Sequence, residues 1–343
     1  MKELKGYKKG INLGGWLSQN TFTKEHLDTF IVEDDIKKIS TFGVDHIRLP
    51  IDFENIENDD GSVKESGYRY IDNCINWCRK YKLNLILDLH KTCGYIFDDA
   101  EYSSDFFDSI DLQDRFINLW DVISKRYAKD SDIVMLELLN EVVRSDVAEK
   151  WNKIALRAIA KIRENSKDVK ILYGGVCNSA ISSVKYLAAP PDENIVYNFH
   201  CYEPLIFTHQ SAWWADGMPT DFHIGYPGDV KEYMRESAKM PCAMNGPFGE
   251  EGFMLTELSP VFFENIFKEA VAYAEKNNVP LYCGEYGCIE LAPPEDSLRW
   301  LRDINAAFEK FGIGRALWSY KEMNFGLIDE HYSSIFEEML KVL

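Results

Sequence analysis

Two glutamates at the ends of apolar runs carry the first chemical signal. Glu141 follows Asn140 and closes Ile133-Val-Met-Leu-Glu-Leu-Leu-Asn-Glu141. Glu285 lies in Gly284-Glu-Tyr-Gly287, at the end of the run that starts at Pro280. The two are far apart in sequence, but they meet if both runs are strands of one closed sheet. Two carboxyl groups flanking one bond can divide the work of acid and of base or nucleophile, as cleavage of a glycosidic linkage requires. Either glutamate alone reads as a solvated loop residue.

The surrounding polar residues repeat with the period of a strand. Side chains two apart share a face, so Asn198, His200 and Tyr202 oppose Tyr197, Phe199 and Cys201. Asp88 and His90 oppose Leu87 and Leu89, and His46, Arg48 and Pro50 oppose Ile47 and Leu49. Polar groups turned into a protein cost free energy unless paired. A cation or donor such as Arg48 or Tyr202 beside a carboxylate holds it ionised. Whichever glutamate serves as the acid has to start protonated and needs the more desolvated place. His46, near the start of its strand, reads as a satisfied core residue, and Glu137 as a buried ionic partner of Arg48.

Eight short apolar runs can position these groups: 10–16, 45–51, 84–90, 133–141, 170–175, 195–202, 280–286 and 315–320. The stretches 32–43, 69–82, 111–129, 148–165, 261–277 and 296–311 carry apolar residues at helical spacing. Strand–helix alternation of this kind predicts a parallel sheet. Eight units predict a (β/α)8 TIM barrel spanning 1–343 as a single catalytic domain. The alternative, an open doubly wound sheet, lacks a GxGxxG or phosphate loop after its first strand. Between Pro204 and Pro260 the rhythm breaks, which predicts an inserted subdomain over 205–260 between strand 6 and helix 6, on the face where barrel active sites lie. That stretch holds Phe207, Trp213, Trp214, Phe222, Tyr226, Tyr233, Phe248 and Phe253, and turn residues including Asn245-Gly-Pro247.

Composition narrows the partners. Lys and Arg number 38 against 56 Asp and Glu, a net charge of −18. Such a surface repels phosphate backbones and anionic lipid, which argues against nucleic acid and membrane and for a neutral or cationic partner. No run of 18 apolar residues occurs. The start has no apolar signal core, which fits either cytoplasmic residence or secretion with a leader removed. The eight cysteines show no CxxC pair or zinc spacing and read as reduced, buried thiols. Aromatic residues make up 13%, with 8 Trp and 18 Tyr, more polar-edged rings than a core requires.

Six motifs in order, Ile47-Arg-Leu-Pro50, Asp88-Leu-His90, Leu138-Leu-Asn-Glu-Val142, Asn198-Phe-His-Cys-Tyr202, Gly284-Glu-Tyr-Gly287 and Leu317-Trp-Ser-Tyr320, resemble those of family 5 glycoside hydrolases. The Gly10-Ile-Asn-Leu-Gly-Gly-Trp16 start and the long insert resemble clostridial members. The resemblance implies a retaining hydrolase needing no metal or cofactor, with Glu141 as acid/base and Glu285 as nucleophile. Arg48, His90, Asn140, His200 and Tyr202 match its supporting positions, and Trp318 its aromatic platform. One departure is Val142, where the family most often has Pro. Sugar rings present flat C–H faces, so Trp16, Phe207 and Trp213 are further candidates; Trp213 and Trp214 read equally well as packing within the insert.

The expected activity is endo-cleavage of β-1,4-glucan, as in cellulose degradation, by a monomer. Mannan or glucomannan, mixed-linkage glucan and exo-cleavage of β-1,3-glucan are the other substrates open. A carbohydrate-binding barrel without turnover is the alternative outside catalysis. A metal-dependent barrel hydrolase is disfavoured, because no His-x-His ends the first strand.

Overall fold

Eight parallel strands close into one barrel in chain order in the computed structural model, which describes residues 1–98, 105–244, 246–248 and 255–343. They are β1 (Lys9–Asn12), β2 (His46–Asp52), β3 (Asn84–Lys91), β4 (Val134–Glu137), β5 (Lys170–Gly174), β6 (Ile195–His200), β7 (Leu281–Tyr286) and β8 (Gly314–Leu317). Around them pack α1 (Glu33–Ile39), α2 (Glu65–Tyr81), α3 (Ile110–Tyr127), α4 (Ala148–Asn165), α5 (Pro260–Lys276), α6 (Pro294–Phe311) and α7 (Phe336–Val342). The β5–β6 crossover carries a 3-10 turn, Ile181–Tyr186, where the other crossovers have longer helices. The architecture is the expected (β/α)8 barrel. Among the described residues no helix is long and apolar enough to cross a membrane.

Strand alternation builds the interior in two layers. On β3, Leu85, Leu87 and Leu89 join the large cluster packed against the helices, while Ile86, Asp88 and His90 turn inward. Ile86 belongs to a lower plug with Leu4, Tyr7, Met135, Leu172, Val196, Tyr282 and Ala316. Above that plug the inward positions are polar, at the C-terminal ends of the strands where a barrel builds its site. The helices follow their apolar periodicity: Tyr68, Ile71, Cys74, Ile75 and Cys78 form the buried face of α2. Pro294 opens α6, and the left-handed Gly312 (φ +68°) ends it.

The segment after β6 contains two short helices, Leu205–Thr208 and Val230–Ser237. Its buried Ile206, Phe207, Met218, Tyr226, Val230, Tyr233 and Leu258 belong to the same cluster as the barrel's outer layer. Phe253 and Asn245 lie outside the described residues.

Candidate active site

Arg48 on β2, fully buried, organises the upper layer. Its five N–H groups are all used. Nε and Nη2 form a fork on Glu137 at 2.7 and 2.9 Å. Nη1 donates to Asn12 (3.0 Å) and Glu285 (2.8 Å), and Nη2 also donates to Asn140 (2.9 Å). Asp88 lies 3.0 Å from the same guanidinium. One cation therefore faces three buried carboxyl groups. Burial pushes Glu137 upward and Asp88 up to about 7, against the pull of Arg48. Burial alone would weaken the Arg48 charge, but Asp88, Glu137 and Glu285 outweigh it and raise its pKa. Arg48 therefore stays charged among them.

Glu285 reaches this layer through an irregularity in β7. Phe199 pairs with Cys283, but His200 pairs with Glu285, a register shift that leaves Gly284 as the extra residue. Strict alternation would have separated Tyr282 and Glu285; the shift lets both face inward. Gly284 donates its N–H to Asn198 Oδ1 at 3.0 Å, and its carbonyl accepts from Asn12 at 2.9 Å. A Cβ there would lie 2.8 Å from His200 Nε2 and 2.9 Å from Asn198 Oδ1. Gly284→Ala should cost about 1–3 kcal/mol by overpacking and lower activity, read from the thermal midpoint and turnover. An unchanged midpoint would mean that the approach is not tight. The Glu285 carboxylate also accepts from Tyr202 at 3.0 Å.

Glu141 lies just beyond β4 and is slightly more exposed than Glu285. Burial pushes its carboxyl up to about 7, against the lowering effects of a hydrogen bond from Asn178 and the charge of Arg48. Its Oε1 pairs with His200 Nδ1 at 2.8 Å, and Asn178 Nδ2 donates to Oε2 at 3.0 Å. Tyr95 clamps the backbone, donating to the Glu141 carbonyl (2.6 Å) and accepting from the Val143 N–H (2.9 Å). Burial lowers the His200 pKa, so the ring is neutral at neutral pH. It lies between the two glutamates, 3.7 Å from Glu285. Carboxylate oxygens of Glu141 and Glu285 come within 4.8 Å of each other.

With His200, the pair is also the one group of such side chains, among the described residues, close enough to share an ion. Each member is already committed, however: His200 to Glu141, and Glu285 to Arg48 and Tyr202. The arrangement suits proton and glycosyl transfer.

His90 completes the wall. Its Nδ1 pairs with Asp88 at 2.5 Å, and its ring stacks on Trp318 with centroids 5.9 Å apart and planes 4° from parallel. Burial holds this imidazole neutral as well. Asn140 presents Oδ1 to Arg48, which fixes the amide and leaves Nδ2 as its donor end.

Residues 6–324 match the sequence profile of cellulase (glycosyl hydrolase family 5). The chain belongs to glycosyl hydrolase family 5. This family 5 enzyme is 45% identical to cellodextrinase A of Ruminococcus flavefaciens, over 92% of this chain and 86% of that protein. It is 39% identical to endoglucanase C of Acetivibrio thermocellus, over 98% of both chains. Its fold is similar to that of Thermotoga maritima Cel5A solved with cellobiose, with a TM-score of 0.76, 22% identity, and 98% and 97% of the two chains covered.

In this family 5 glycoside hydrolase the structure corrects several expectations. Trp16 does not face the cleft. Strand β1 stops at Asn12, and the chain turns at Gly15 (φ +78°). The Trp16 indole is fully buried, donates to the Leu27 carbonyl at 2.9 Å and stacks on Trp77 of α2. Phe207 is also fully buried, against Tyr226. Trp213 and Trp214 sit at the surface, 79% and 40% exposed and edge to face with each other. Trp318 is only 6% exposed, closer to a wall than to an open platform. Five cysteines are buried, Cys93 and Cys242 partly so, but Cys177 is exposed.

His46 is a core residue, paired through Nδ1 with Asp45 and through Nε2 with Tyr282, both at 2.6 Å. Sequence reasoning missed Asn12, although it shares the inward face with Gly10. It also missed Tyr95 and Asn178, which lie on irregular backbone and carry no periodic signal.

Proposed function

We propose that this family 5 enzyme cuts internal β-1,4 linkages of glucan with retention at the anomeric carbon. The observation that carries the reading is the unequal pair: Glu141 with its carboxyl pushed up to about 7 by desolvation, Glu285 held by Arg48 and Tyr202. Glu141 donates its proton to the leaving glycosidic oxygen as Glu285 forms a bond to the anomeric carbon. The product sugar departs, leaving a glycosyl ester on Glu285. Glu141, now ionised, takes a proton from water, which attacks the same carbon and restores Glu285. Carboxylate oxygens within 4.8 Å favour this double displacement, because inversion needs the carboxyls roughly 6.5–9.5 Å apart to admit water. Asn140 Nδ2 is placed to bond a 2-hydroxyl, a contact that strengthens in the transition state. His90 and Trp318 line the cleaved sugar. We assign the described part of the 205–260 segment to one wall of the cleft; among its described residues Trp213 is the most exposed ring.

The name of the 45% identical relative, a cellodextrinase, supports a second reading in which short soluble β-1,4-gluco-oligosaccharides are the preferred chains. Product profiles on carboxymethylcellulose, lichenan, laminarin, mannan and cello-oligosaccharides separate these readings. Endo-action on β-1,4-glucan is expected to lower carboxymethylcellulose viscosity well before reducing ends accumulate. Turnover confined to laminarin or mannan would overturn the proposal, and glucan binding without new reducing ends would make the barrel a binding protein.

A further inference from the structure

The backbone beside Glu141 adopts a conformation that its residues do not favour. After β5, three consecutive non-glycine residues, Cys177, Asn178 and Ser179, sit in the left-handed region at φ 56°, 56° and 54°. L-residues visit that region singly, Asn most readily, and successive residues there are disfavoured. Such backbone persists only where its surroundings over-determine it. Here the Asn178 N–H donates to the Val142 carbonyl at 3.1 Å, tying the turn to the residue after Glu141. Ala180 donates back to Cys177 at 3.0 Å and bridges to His200 on β6. Ser179 is buried. The outcome is one exposed amide whose Nδ2 lies 3.0 Å from Glu141 Oε2.

We infer that Asn178 is a positioning residue for the acid, and that the left-handed turn exists to aim its amide at the Glu141 carboxyl. The inference rests on reading Glu141 as the acid. His200 holds one carboxyl oxygen and Asn178 the other, so the carboxyl plane is fixed from both ends. Other charged and titratable groups face Glu141: Arg48 from β2, Asp88 from β3, His200 from β6, Tyr202 just beyond β6 and Glu285 from β7. The Asn178 amide can only donate to this oxygen, so its hydrogen bond favours the ionised form and limits how far burial raises the carboxyl.

The test uses leaving groups that need protonation to different degrees. Asn178→Gly keeps a residue at ease in the left-handed region and removes only the amide. It should slow hydrolysis of an unactivated cello-oligosaccharide by about tenfold. For a 2,4-dinitrophenyl β-cellobioside, whose leaving group departs without a proton, kcat/KM should stay within about twofold of the parent value. The alkaline limb of the pH profile on the oligosaccharide should move to higher pH. Asn178→Asp keeps the turn preference but replaces the donor with a like charge, and should move that limb further the same way.

Equal slowing of both substrates, or an unmoved alkaline limb in both variants, would overturn the inference. Glu141→Ala is the control: its kcat/KM on the dinitrophenyl substrate, which reports formation of the Glu285 ester, should be spared, although the ester then hydrolyses slowly because the base is gone. If it spares that substrate while Asn178→Gly slows both equally, Asn178 loses its role and Glu141 keeps its own. If Glu141→Ala lowers kcat/KM equally on both, the acid assignment fails and the inference with it.

Discussion

Glu285→Ala is expected to reduce turnover of soluble β-1,4-glucan by roughly five to six orders of magnitude, the scale on which loss of a covalent nucleophile acts. The carboxylate is the proposed nucleophile, and Arg48 at 2.8 Å and Tyr202 at 3.0 Å hold its two oxygens. Without it the ester intermediate cannot form, and the site keeps only its binding contacts and its acid. Glu285→Gln preserves shape and keeps an acceptor for Arg48, so it separates loss of chemistry from loss of fold. A 2-deoxy-2-fluoro glucosyl reagent should label the parent at the Glu285 peptide, seen by mass, and neither variant. Turnover within about a hundredfold of the parent in folded Glu285→Gln would remove Glu285 as the nucleophile.

The second large effect concerns pH. As the proposed acid, Glu141 works protonated, and desolvation pushes its carboxyl from 4.5 up to about 7. The acid form therefore dominates below about pH 7 and is lost as pH rises through that value. On the alkaline side kcat/KM should fall about tenfold per pH unit. Glu141→Gln has no proton to lose, so that limb should disappear while rates on unactivated glucan drop roughly 10²–10⁴-fold. A parent profile flat from pH 6 to 9 would show that Glu141 does not supply the proton.

The structure also shows where reading by period succeeds and where it stops. On β2 and β3 the register is regular up to Ile51 and Leu89, so Arg48 and Asp88 are placed inward by sequence alone, as Glu137 is on β4, and the shift comes only at His90. The (β/α)8 order follows from the same periodicity. Glu285 could be named but not oriented, because the register shift at Gly284 breaks alternation. Trp16 and Phe207 fail for a different reason. Beyond a strand's end the direction of a ring depends on the turn, and both turns fold their rings into the core. Tyr95 and Asn178 act on Glu141 through irregular loops, where spacing carries no information about direction. Aromatic content suggested a sugar-binding cleft, yet Trp16, Trp120, Trp151 and Trp300 are fully buried core.

The Arg48 pairings also have a consequence for how the chain folds. Asn12 on the first strand, Glu137 on the fourth and Glu285 on the seventh meet at one guanidinium, and Asn12 also bonds the Gly284, Ala316 and Leu317 carbonyls, up to 305 residues away. Contacts of such separation form late, because the loops they close are the longest and entropically most costly. A nascent chain holding only the first six strands can join Arg48 to Glu137 but has no nucleophile. Closing the ring and becoming an enzyme are therefore one event. A partly built barrel is inert, and the first productive encounter with substrate waits for the final strands to dock.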